Sequence, residues 1–192
     1  MVKEGKLRRI EPGIYYRSRA TIVGESTPGK LALSAAKGAG GLQPTGLTAA
    51  AALGFTTQNP SRLEYATPAE HGPGHLDARV SNRRPDSRRL LSPREGAILE
   101  FLRDRAQTSD LSPSQTVRRM RALLAEGRAF DKLIRPAMDE PPRVRAMLGA
   151  LGQEIGIPER QLQKLRRSLG PVSKYDFGRL ASLRYAKDWQ AK

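Results

Sequence analysis

The chain has 192 residues, enough for one ordinary domain and a small second one. Its 34 Lys and Arg outnumber 19 Asp and Glu, a formal net charge of +15 at pH 7, and an excess of that size favours polyanionic partners, nucleic acid above all. Cysteine is absent, which excludes disulfides, thiolate metal sites and cysteine nucleophiles, and no apolar run approaches the ~18–20 residues of a membrane span.

Residues 1–19 read as a basic hairpin. KLRRI and IYYRS are strand-like runs joined by EPG, a turn of Pro and Gly. Lys3, Lys6, Arg8, Arg9, Arg17 and Arg19 stand against only Glu4 and Glu11. The apolar alternation on the first strand is imperfect, so a bulge or an early end is expected there. Gly5 looks like the stop of a helix whose body lies upstream of Met1. A basic hairpin after a helix has the form of the wing of a winged helix-turn-helix; a plain basic edge hairpin is the other reading. No apolar core follows the N-terminal charges, so no signal peptide is expected.

Residues 20–30 are expected to be a linker. Gly24 to Lys30 spell G-x-x-x-x-G-K after a strand-like ATIV, the setting of a phosphate-binding loop. Position 31 is Leu, where a hydroxyl should reach Mg²⁺, and Pro28 removes a backbone amide. Residues 30–37 read as a short helix.

Between Gly41 and Pro60 an alanine-rich run, 48–53, closes on Gly54, where a left-handed residue is cheap. Thr45 or Thr48 is the expected cap. A helix this short depends on packing, and its alanines permit close approach. RLEYATP and LDARVSN read as two short strands, the second with Ala78 and Val80 on one face and Arg79 on the other. Between them, His71 and His75 are four apart, but Gly72, Pro73 and Gly74 forbid the helix that would align them, so a solvated turn is expected rather than a metal site. RRPDSRR then sets Arg83, Arg84, Arg88 and Arg89 against Asp86. It reads either as a solvated loop or as a phosphate-contacting patch, since guanidinium forks match phosphate oxygens.

From Ser92 the pattern is helical. Ser92 as N-cap, Pro93 and Glu95 open a first helix carrying Ala97, Ile98, Phe101 and Leu102. A second starts at Ser114 and stops at Gly127. A third spans 129–138, a fourth runs from Pro142 with Val144, Met147, Leu148, Leu151 and Ile155 on one face, and a fifth spans 158–169 on Leu162, Leu165 and Leu169. A last helix is expected from Asp176, with Phe177, Leu180, Leu183 and Trp189. Residues 111–192 hold 17 basic and 8 acidic side chains.

Taken together, VKEGKLRRIEPGIYYR and PTGLTAAAALGFTTQNPSRLEYATP resemble the AbiEi-type antitoxins of bacterial type IV toxin–antitoxin systems, and EPPRVRAMLGALGQ and SLGPVSKYDFG are similar to C-terminal parts of such proteins. The central TG…LGFTTQ…P block is the most specific part. The resemblance implies a winged-helix DNA-binding domain and a C-terminal α/β antitoxin domain, repression of the protein's own operon, and opposition to a nucleotidyltransferase-like toxin without a stable complex. It sets Lys6, Arg8, Arg9, Tyr15 and Arg17 near DNA backbone. The helices expected before Val2 are not in this chain, so residues 1–19 would be the wing remnant, residues 31–91 a small α/β antitoxin core and residues 92–192 a helical C-terminal part.

The expected class is therefore α+β. The expected function is a non-enzymatic, cytoplasmic DNA-binding antitoxin with no cofactor, no metal, no catalytic residue and no membrane partner. Two rivals stand beside it. One is an interaction module whose charge is incidental. The other is a nuclease or nucleotide-dependent enzyme using Lys30, His71, His75 or Asp77, which lacks a convincing paired-carboxylate cluster.

Overall fold

A computed structural model describes residues 41–68 and 78–192 in full, and before them only the strands 8–11, 14–16, 20–21 and 24–25. The chain divides into two compact units, Met1–Gly40 and Gly41–Lys192.

In the first unit, β1 (Arg8–Glu11) pairs antiparallel with β2 (Ile14–Tyr16). The register shifts between Arg9 and Glu11, where the apolar alternation breaks. β3 (Ala20–Thr21) pairs with β4 (Gly24–Glu25), so strand pairing reaches into the segment expected to be a linker. Gly24 and Glu25 are thus strand residues, whereas the phosphate-loop pattern needs them in a loop. The remainder of that pattern and the expected helix 30–37 lie outside the described residues.

The second unit is α+β. A three-stranded sheet has the order β5 (Gln43–Pro44), β6 (Leu63–Ala66), β7 (Ala78–Ser81), with β5 antiparallel and β7 parallel to β6. Helix α1 (Gly46–Leu53) leans on it and ends on Gly54 in the left-handed region, φ 74° and ψ 35°. The expected glycine stop is therefore present, and Ala49 and Ala50 are buried. The expected cap is not. Thr45 occupies the N-cap position, but its hydroxyl donates to Glu100 Oε2 at 2.9 Å. Thr48 Oγ1 instead accepts from the backbone N–H of Glu64 at 2.9 Å and stitches α1 to β6.

The LGFTTQ segment turns into the core after Gly54. Phe55 is fully buried and stacks on Phe101, with ring centroids 4.1 Å apart. The Thr56 hydroxyl donates to Asp110 Oδ2 and Gln58 Nε2 to Asp110 Oδ1 at 2.9 Å. The most specific part of the sequence pattern is thus explained locally by a helix stop, a buried ring and a carboxylate anchor.

Five helices follow: α2 (Pro93–Arg103), α3 (Pro113–Ala125), α4 (Ala129–Ala137), α5 (Pro142–Glu154) and α6 (Glu159–Arg167). α2 opens on the expected capping box of Ser92 and Glu95, and α3 on a second one, Ser112 with Gln115. Residues 95–102 of α2 are all buried, which makes it the central helix, with α1 and β5 on one side and α4 and α5 on others. One continuous hydrophobic core joins Ala49, Leu53 and Phe55 to the helices, so the boundary expected at 91/92 does not separate two cores.

The last expected helix is absent. Residues 176–192 form short 3₁₀ turns, Gly178–Leu180 and Lys187–Trp189, linked by successive i→i−3 backbone bonds. Phe177, Leu180, Leu183, Ala186 and Trp189 recur every three residues and are all buried. That is the 3₁₀ period, in which i and i+3 eclipse, and not the α-helical 3.6. Trp189 lies against Gly149 of α5, where a side chain would occupy the space of the indole, and its Nε1 donates to Gln153 Oε1 at 2.8 Å.

Candidate nucleic-acid interface

Of the predicted DNA-contacting residues, Arg8, Arg9 and Tyr15 fall on the β1–β2 pair, where Arg9 is registered opposite Tyr15 and Arg8 opposite Tyr16. Lys3, Lys6, Arg17 and Arg19 lie outside the described residues, as do Lys30, His71, His75 and Asp77.

The four arginines of RRPDSRR do not act together. Two of them lie in a 3₁₀ turn, Asp86–Leu90, whose one buried residue is Arg88. Arg83 and Arg89 are exposed, Arg89 beside Asp86 at 2.9 Å. Arg88 points inward and is 0% exposed. Its Nε donates to Glu140 Oε1 at 2.6 Å, and its Nη1 donates to Glu100 Oε1 and to Gln43 Oε1, the latter at 3.1 Å. The expectation that Arg88 touches phosphate is thereby corrected, because its fork is spent on buried carboxylates. Arg84 is largely committed as well, with Nε and Nη2 on the two oxygens of Glu100 at 2.7 and 2.9 Å.

These residues form an interior ionic cluster. Arg103 Nε stands 3.2 Å from Glu140 Oε2 as an ion pair without hydrogen-bond alignment. Burial pushes the Glu100 carboxyl up, but hydrogen bonds and charge from Arg84 and Arg88 outweigh it and hold the group below its ordinary range. The bond to Glu100 raises Arg84 further, whereas burial lowers Arg103. The cluster clamps the 86–90 turn onto α2, β5 and the Glu140 corner before α5.

Elsewhere five further carboxylates are also paired. Glu95 holds Lys132, Glu126 holds Arg94, Asp131 holds Arg128, Glu159 holds Arg166 and Asp176 holds Arg105. A cleft of about 240 Å³ opens between the start of α2, the end of α3 and the start of α4. Its charged lining is self-neutralising, because Arg94 pairs with Glu126 and Lys132 with Glu95 across it.

Of the remaining cations, Arg143, Arg145 and Arg179 are half-buried on backbone carbonyls, and others stand outside. Arg62, Arg79, Arg83, Arg118 and Arg135 are exposed and have no carboxylate partner among the described residues. Sequence reasoning assigned α6 only its leucines and missed its outer face. Leu162 and Leu165 are buried, while Arg160, Lys164 and Arg167 are exposed and unpaired on the opposite side. Their i, i+4, i+7 spacing was the available signal. Among the described residues no group of three or more His, Asp or Glu gathers to hold a metal, and no helix is long and apolar enough to cross a membrane.

No protein-family model, no curated protein and no solved structure matches the chain.

Proposed function

We propose that this chain is a non-enzymatic nucleic-acid-binding regulator and antitoxin of the AbiEi type, acting in the cytoplasm on the DNA of its own operon and opposing a nucleotidyltransferase-like toxin. On this reading the β1–β2 hairpin is the wing of a winged helix, and the DNA-contacting residues are Lys3, Lys6, Arg8, Arg9, Tyr15, Arg17 and Arg19. Arg83 and Arg89 add exposed cations, while Arg84 and Arg88 serve the interior.

The observation that carries the reading is the division of charge in the second unit. Its carboxylates are largely matched to cations, several of them inside, and a set of further cations, Arg62, Arg79, Arg83, Arg118 and Arg135 among them, stands at the surface without carboxylate partners. Unpaired surface guanidinium groups suit phosphate, whose contacts position a protein on a duplex without specifying sequence. The resemblance in the hairpin and in the TG…LGFTTQ…P block supplies the narrower identity of the target.

Fluorescence anisotropy with a labelled operator duplex and a random duplex, each at 50 and 200 mM salt, tests the DNA-binding half. Binding that weakens steeply with salt is expected. Absence of binding to either duplex, or affinity indifferent to salt, would sink it. Growth rescue on co-expression with the neighbouring toxin tests the antitoxin half.

A further inference from the structure

We infer that helix α6 carries a second phosphate-contacting surface, formed by Arg160, Lys164 and Arg167, which lays the helical part of the protein along the backbone of duplex DNA. The inference rests on the DNA-binding reading above and adds a contact that neither the basic hairpin nor the arginine loop supplies.

Three features of the helix carry it. At about 100° per residue, Arg160, Lys164 and Arg167 fall within an arc of about 60° directly opposite Leu162 and Leu165. Gln163 is exposed on the flank of this arc. The outer face therefore presents three cations and an amide donor, with no carboxylate among them. Secondly, the acid on this helix, Glu159, is already taken. Its Oε1 accepts from Arg166 Nε at 3.1 Å. Arg166 is itself held over the Trp189 ring at 4.2 Å and on the Asp188 carbonyl at 3.0 Å. One arginine of α6 is thus consumed in fixing the helix to the protein, and the other basic side chains are left free.

Thirdly, α6 is the described helix on which three unpaired cations share one face, whereas α3 leaves Arg118 and α4 leaves Arg135 standing singly. On α3, Arg119 donates to the Leu53 carbonyl at 3.0 Å and Arg121 faces Glu154 at 3.8 Å. The 1.5 Å rise per residue spreads the α6 cations over about 10.5 Å, roughly three base-pair rises of 3.4 Å along the duplex axis, a span that holds several phosphates. The face is rigid because α6 is clamped on both sides, through Arg166 to the 187–189 turn and through its leucines to the core. Little ordering is then required on binding.

The test is a salt titration of duplex binding by the full chain. Arg160→Gln/Lys164→Gln/Arg167→Gln should flatten the slope of log K against log salt by about 2–3, near 0.9 per lost phosphate contact. A control, Arg94→Gln/Arg121→Gln/Arg128→Gln, removes the same net charge from cations that already have partners, and should change the slope by less than half as much. Arg160→Lys/Arg167→Lys keeps the charge count and should keep the parent slope. Thermal melts of all variants establish that each is folded. If the parent binds with a steep slope and the α6 triple variant keeps it, or if the control loses as much, the α6 surface is refuted while the DNA-binding reading stands. If the parent binds no duplex at all, both fall.

Discussion

Replacing Arg88 by Met separates an interior role for this arginine from a phosphate-contacting one. Arg88 is fully buried and donates to Glu100, Glu140 and Gln43. Methionine fills much of the space but supplies no donors. Glu100 keeps the two bonds from Arg84, whereas Glu140 keeps only the unaligned contact with Arg103. Removing one partner of a buried pair costs about 3–5 kcal/mol, because a carboxylate is left in the interior without compensation. For a unit of this size that is a fall in Tm of roughly 6–20 °C. The chain has one tryptophan, Trp189, and it is buried in the same core, so its emission during urea unfolding reads the loss directly. Adding Glu140→Gln to Arg88→Met removes the stranded charge and should recover part of the stability. A variant that costs under about 1 kcal/mol, yet binds DNA more weakly than the parent, would refute the interior assignment.

Gly149→Ala should destabilise by about 1–3 kcal/mol and red-shift the Trp189 emission, since the new methyl falls where the indole packs; an unchanged spectrum and melt would contradict that packing. Acid should unfold the second unit. Glu100 is depressed in the folded state, as are Glu95, where burial is outweighed by bonds from Lys132 and Ser92, and Asp176, through bonds from the Gly178 amide and Arg105. A depressed carboxylate contributes stability above its unfolded value, and that contribution is lost as pH falls through the folded one. Tm should be flat around neutrality and decline below about pH 4–5, and Glu100→Gln should start lower and decline less steeply; a melt insensitive to pH between 5 and 3 would oppose the scheme.

What could be read from the sequence was what is encoded locally. The Ser92–Pro93–Glu95 signature, the alanine run ending at Gly54 and the apolar stripe of α5 (Val144, Met147, Leu148, Leu151) all define their elements within a few residues, and each is present. Three features are less legible, each for a different reason. The last segment was assigned a helix because its apolar residues are regularly spaced. The spacing is three, and Gly178, at φ +53°, is seated against the Arg105 carbonyl, so tight turns replace an α-helix. Arg88 was grouped with its neighbours because nothing near it in sequence shows where it points. Its partners lie 12 and 52 residues away, on a helix and a corner that only the fold brings together. The outer face of α6 is encoded in ERQLQKLRR. Its leucines define the side that packs, and the cations at i, i+4 and i+7 define the side that does not.

The two populations of arginine answer differently to added electrolyte. At about 1 M salt the screening length contracts to roughly 3 Å, which silences side chains that stand in water and leaves those sealed from mobile ions almost unaffected. Arg160, Lys164 and Arg167 belong to the first population and Arg88 to the second. If the proposed nucleic-acid binding holds, a high-salt wash strips carried-over nucleic acid from the purified protein, lowering its 260/280 nm absorbance ratio, without loosening the Arg88–Glu140 clamp. Brine and acid then act as separate handles on this molecule, the one on its exposed cations and the other on its paired carboxylates.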